Sequence, residues 1–96
     1  MTHTAGPWKL ETVTTSVGVC HKIGPFPGKR KESYACVYDD CSVPSLRNEE
    51  LLANAILMAS APEMLEALRN LENDNGSIPR HAWKLVQDAI AKAEGR

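Results

Sequence analysis

Hydrophobic and polar side chains alternate in short runs along the first 40 residues. Trp8, Leu10 and Thr12 interleave with Lys9, Glu11 and Val13, and the polar Thr14-Thr15-Ser16 then offers a turn. Val17, Val19 and His21 interleave with Gly18, Cys20 and Lys22, closing at Ile23, and Tyr34-Ala35-Cys36-Val37-Tyr38 is a third run rich in strand formers. Between the second and third runs, residues 24–32 hold two prolines and two glycines, which predicts a long irregular hairpin loop. The period then changes. Ser45 is placed to cap a helix starting near Leu46, with Glu49 and Glu50 in the first turns, where the helix dipole favours acids. Pro62 stops that helix near Ser60, and Ser60-Ala61-Pro62-Glu63 reads as the capping box of the next. Met64, Leu65, Leu68 and Leu71 form its apolar stripe, which Glu72 to Gly76 terminates. Ser77-Ile78-Pro79 opens a last helix with Ala82, Val86, Ala89, Ile90 and Ala93 on one face, widened by Trp83 and Leu85. The expected architecture is α+β. A three-stranded antiparallel meander over about 8–38 precedes three helices over about 46–60, 61–73 and 78–94, packed on it as one domain spanning 1–96.

Length and composition fit that picture. Ninety-six residues suit one small domain, and 43% hydrophobic with 24% charged residues is the balance of a folded chain. A net charge of −1 argues against a general polyanion binder, and neither half of the chain carries a charged tail. The N-terminus has neither the basic nor the apolar region of a signal peptide. The longest apolar stretch, 51–61, is interrupted by Asn54 and Ser60 and falls far short of a bilayer span. We therefore expect no membrane association and a cytoplasmic location. Cys20, Cys36 and Cys41 are expected to remain thiols, an odd count being a poor disulfide framework.

Two strings carry a resemblance. His3-Thr4-Ala5-Gly6-Pro7-Trp8 is similar to an HTPGPW-like box, and residues 53–68, ANAILMASAPEMLEAL, are similar to an ANARLIAAAPELLEAL-like helical box. The pair resembles a group of small bacteriophage and prophage proteins. Ala5 stands where the box has proline, and the loop over 26–31 is longer than the group's. The resemblance implies a phage origin and brings no reaction with it. Elementary packing accounts for both boxes. Gly6-Pro7 turns the chain to present Trp8 to the core, and Ala53, Ala55, Ala59 and Ala61 permit a helix to approach closely.

No catalytic constellation emerges. His3, His21 and His81 lie in three different elements, no glycine-rich elbow surrounds a serine or cysteine, and no phosphate loop or dinucleotide fingerprint is present. Asp39-Asp40 at a strand end reads as a solvated turn. The chain is therefore expected not to be an enzyme and to need no cofactor. Metal binding is disfavoured as well, because Cys20 and His21 are adjacent on a strand and point to opposite faces, and Cys36-x4-Cys41 is not a zinc-knuckle spacing. Cys20 and Cys36 are equidistant from Gly28, which predicts two buried thiols packed as cross-strand neighbours.

What remains is binding. Phe26, Lys29, Arg30 and Lys31 are the candidate partner-binding residues, on the hairpin loop. The helix over 51–61 is apolar almost all round, making Leu51, Ala55 and Met58 candidates for self-association as a homodimer. The reading is a phage accessory protein that binds an unknown host protein, for instance to inhibit a defence system such as a CRISPR effector. The alternative is a small nucleic-acid-binding accessory of phage replication or recombination, using the same basic loop. It is the weaker reading because Glu32 follows at once and no basic stripe extends the patch.

Overall fold

A computed structural model describes residues 3–39 and 47–96. Three strands, β1 (Lys9–Thr15), β2 (Gly18–Phe26) and β3 (Ser33–Asp39), precede three helices, α1 (Arg47–Ala59), α2 (Ala61–Arg69) and α3 (Arg80–Ala93). The strands form an antiparallel sheet in the order β1-β2-β3, so the α+β meander followed by helices is what the chain adopts. Ser45 and Cys41, with the cap and thiol expected there, lie outside the described residues. The chain divides into two compact units: residues 4–62 hold the sheet and α1, and Glu63–Arg96, grouped with His3, hold most of α2 and all of α3.

In the first unit, β1 and β2 meet around Ser16-Val17. Thr15 pairs with Gly18, and the Thr15 hydroxyl donates to the Gly18 carbonyl at 2.7 Å. Cross-strand partners share a face, so the register assigns the two sides of the sheet. Leu10, Ile23 and Ala35 align on one side, as do Thr12, His21 and Val37. Helix α1 crosses this inner face and meets all three strands. Ile23, 1% exposed, and Ala55 of α1, fully buried, mark the centre of the packing. The methyl of Ala55 lets the helix lie close, as the small-residue spacing predicts. His21 is also buried here, its Nδ1 2.9 Å from the Thr12 hydroxyl. At the edge of the same face, buried Asp39 accepts from the side-chain amide of Asn48 on α1 at 3.1 Å when that amide is turned to donate.

The hairpin departs from expectation. The second strand does not stop at Ile23 but continues through Gly24 and Pro25 to Phe26, which pairs with Ser33, leaving 27–32 as the connection. Pro25 is tolerated because the pairing is irregular between Ile23 and Phe26, where a ladder donor is not required. Gly24 has φ +153°, and a Cβ there would sit 3.0 Å from Cδ1 of Tyr34, so the ring lies against bare backbone. The register of the ladder also differs from the one expected for the cysteines. Cys20 pairs with Tyr38 and Cys36 with Lys22, so the two are diagonal rather than directly opposite. Nor are they buried thiols. Cys36 is exposed, Cys20 half-buried, and their sulfurs are joined in a disulfide.

The second unit follows the predicted stripes only in part: Met64, Ala89 and Ala93 are exposed, and the boundaries shift. Leu65 and Ile90 are buried, Leu68, Trp83 and Val86 half-buried, and Leu71 and Leu85 exposed. Ser60 does not cap α2. Its hydroxyl donates back to the Ile56 carbonyl at 2.9 Å, serving the end of α1 instead. Helix α2 ends at Arg69, four residues early. Asn73 diverts the chain into a loop, accepting from the Ile78 backbone N–H at 2.8 Å and donating to its carbonyl at 3.3 Å. Ser77 bonds Asn75 rather than opening α3, which begins at Arg80 with Trp83 N–H reaching the Pro79 carbonyl at 2.9 Å. Arg69 at the end of α2 bonds Glu94 after α3, and Arg96 bonds the other Glu94 oxygen at 2.6 Å.

Candidate functional site

The sheet has a second face, opposite to α1. Parity along the strands places Glu11 and Val13 of β1, Cys20 and Lys22 of β2, and Tyr34, Cys36 and Tyr38 of β3 on it. Two tyrosines flank the sulfur pair, 41% exposed at Tyr34 and 48% at Tyr38. Both are held. Tyr38 donates its hydroxyl to the Val17 carbonyl at 2.7 Å, tying β3 to the far turn. Tyr34 donates to Glu32 at 3.2 Å, rests on Gly24, and carries the Lys22 ammonium 4.2 Å from its ring centroid. Partial removal from water, then the bond to Glu32 and the charges of Glu32 and Glu11, push the Tyr34 phenol above its usual range. The phenol is therefore neutral at physiological pH and presents both a donor and an apolar ring.

The hairpin connection adjoins this face. Lys29, Arg30 and Lys31 are exposed on it, and a Cβ on Gly28 would collide with the Lys31 carbonyl, so glycine permits the tight closure that displays them. Phe26 is not displayed with them. It is half-buried, its ring edge-on to Trp8 at 5.2 Å and 84°, while Trp8 donates its indole N–H to the Thr4 carbonyl at 3.0 Å. Phe26, expected among the partner-binding residues, instead anchors the N-terminal box to the end of the hairpin.

A family model described as Salmonella phage P22 protein Y8K6 matches residues 1–96. The chain belongs to this phage protein family. No curated protein and no solved structure matches it.

Of the self-association candidates, the structure separates the three. Ala55 is spent against the sheet, Leu51 is half-buried, and Met58 is exposed. Leu52, Ile56 and Leu57 join Met58 as exposed apolar residues, with Leu57 60% exposed. Sequence reasoning missed these neighbours because a helix apolar on every side does not announce which stripe faces the sheet. It also missed Tyr34 and Tyr38 as surface features, reading them only as strand formers. Their period-2 spacing with Cys36 was the available signal. Among the described residues no three His, Cys, Asp or Glu side chains converge as a metal-ligand set, and no single helix is long and apolar enough to cross a membrane.

Proposed function

We propose that this protein is a phage accessory factor that acts in the bacterial cytoplasm by binding a host protein. The outer sheet face and the adjoining 27–32 loop form its contact surface. The observation that carries the reading is the pair of exposed tyrosines whose hydroxyls are each hydrogen-bonded. Tyrosine is enriched at protein interfaces because it contributes a large amphipathic ring at low cost in conformational entropy, and here the Val17 and Glu32 bonds restrain both rings. Lys29, Arg30 and Lys31 at one margin add a positive rim, which steers encounter with an acidic partner. Such a surface suits a protein that works by occlusion, and a defence complex such as a CRISPR effector is the kind of target we infer. The exposed apolar residues of α1, Leu52, Ile56, Leu57 and Met58, are the groups through which a second copy would pair as a homodimer.

The test is capture of the tagged protein from host lysate, with and without nuclease, comparing the parent with Tyr38→Ala and with Lys29, Arg30 and Lys31 all changed to alanine. A nuclease-resistant host protein recovered by the parent and lost by both variants, at unchanged melting temperature for the loop variant, supports the reading. Recovery that vanishes with nuclease and falls steeply with salt refers the loop to phosphate and overturns it. Sedimentation of Leu57→Asp against the parent reads the dimer separately.

A further inference from the structure

Cys20 and Cys36 lie on the outer sheet face with Cα atoms 6.0 Å apart, inside the range disulfides span. They come from adjacent strands in diagonal register, so closure requires no rearrangement of the ladder. Cys36 is open to solvent and Cys20 is half-buried, which makes their access to a small reagent unequal. Lys22 is the direct cross-strand partner of Cys36, placing an ammonium on the face from which a thiolate there would attack. We propose that Cys20 and Cys36 form a reversible thiol–disulfide couple that exchanges with a low-molecular-weight disulfide of the glutathione class, Cys36 being the entry nucleophile and Cys20 the resolving thiol.

The steps balance. The Cys36 thiolate attacks one sulfur of glutathione disulfide, forming a mixed disulfide and expelling a glutathione thiolate, which takes up the proton Cys36 released. The Cys20 thiolate then attacks the Cys36 sulfur, closes the protein disulfide and expels the second glutathione, which is protonated in turn. Two protein thiols are oxidised by two electrons, and one glutathione disulfide is reduced to two thiols. The closed form staples β2 to β3 across the connection, with the bonded cysteines 16 residues apart. Chain-entropy reasoning for a loop of that size makes the folding equilibrium constant of the closed form about 100-fold larger than that of the open form. Redox state then sets how rigidly Tyr34 and Tyr38 are presented, although the exchange itself stands independently of any partner.

The experiment equilibrates a Cys41→Ser protein across mixtures of reduced and oxidised glutathione, quenches with iodoacetamide and counts alkylated thiols by mass spectrometry. Expected are two alkylated cysteines at the reducing end and none at the oxidising end, fully reversed by added glutathione. Far-UV circular dichroism should be native at both ends. In the same background Cys20→Ser should accumulate a glutathione adduct on Cys36, whereas Cys36→Ser should acquire its adduct on Cys20 at least tenfold more slowly. Two alkylated thiols at every mixture would overturn the couple, and faster modification of Cys20 would overturn the assigned order. Unfolding of either serine variant leaves the equilibrium titration of the Cys41→Ser protein to decide.

Discussion

Ile23→Ala is the sharpest probe of the packing between sheet and helix. Ile23 is the largest side chain buried to below 2% exposure, on the central strand between Leu10 and Ala35. Replacing it by alanine removes three carbons, worth about 2.4 kcal/mol at roughly 0.8 kcal/mol each. The cavity left between the sheet and α1 adds to that, because the sheet is held by its ladder and collapses poorly, so the total cost is about 3–4 kcal/mol. Ile23→Val should cost about 1 kcal/mol. For a chain of this size total stability is about 5–15 kcal/mol, so the alanine variant remains mostly folded yet loses a large share of its margin. Its melting temperature should fall by roughly 15–25 °C. Urea titration followed by far-UV circular dichroism measures the free energy directly, with Leu85→Ala, at a side chain 67% exposed, as the control expected to change stability by under about 0.5 kcal/mol. If Ile23→Ala proves as mild as Leu85→Ala, Ile23 is not at the centre of a packed core and the assignment of the sheet's inner face fails.

Other perturbations test separate parts of the fold. Ala55→Leu should destabilise by about 1–3 kcal/mol in the same urea assay, since fully buried Ala55 has no room for a larger side chain, whereas Met58→Ala, at an exposed side chain, should cost far less. Gly24→Ala should destabilise more in the parent than in a Tyr34→Ala background, because the new Cβ meets the Tyr34 ring; a double-mutant cycle reads the coupling. Glu94 is held below the usual carboxylate range by its bond to Arg69, then by that to Arg96. Its folded pKa being depressed, the stability it contributes is present above the unfolded carboxylate value and lost as pH falls through the folded one, so Glu94→Gln should flatten the acid limb of a stability-versus-pH curve. Tyr34 has the opposite sign. Its raised pKa contributes stability below the ordinary phenol value that is lost as pH rises through the folded value, and ultraviolet titration in a Tyr38→Phe background should show a late-ionising phenol.

Much of the architecture was legible in the alternation of residues 8–38 and the helical periods beyond, because burial of one sheet face and one helix stripe leaves those periods in any sequence. Leu10 and Thr12 share one parity within their run and His21 and Ile23 share one within theirs, while the register that joins the two pairs is set across the hairpin. The failures share a cause. Pro25, Ser60 and the Cys20–Cys36 pair each depend on what lies across from them. A proline reads as a strand breaker until a ladder irregularity excuses it, and a serine before proline reads as a cap until a carbonyl four residues back competes for its hydroxyl. The candidate face was hidden for the same reason. Whether Tyr34 and Tyr38 are core or surface depends on which side of the sheet α1 occupies, and nothing local to β3 specifies that.

The break in pairing between Ile23 and Phe26 acts as a mechanical buffer. Upstream of it the register that brings Cys20 and Cys36 together is fixed by the regular ladder. Downstream lies the tip with its basic residues. Lengthening or trimming residues 27–32 can be absorbed at the break without turning Tyr34 or Cys36 to the other side of the sheet, as a one-residue slip in a continuous ladder would. The tip is thus free to vary in length and charge while the face beside it stays constant. Under the proposed host-binding function, that division lets the basic rim be revised without rebuilding the platform.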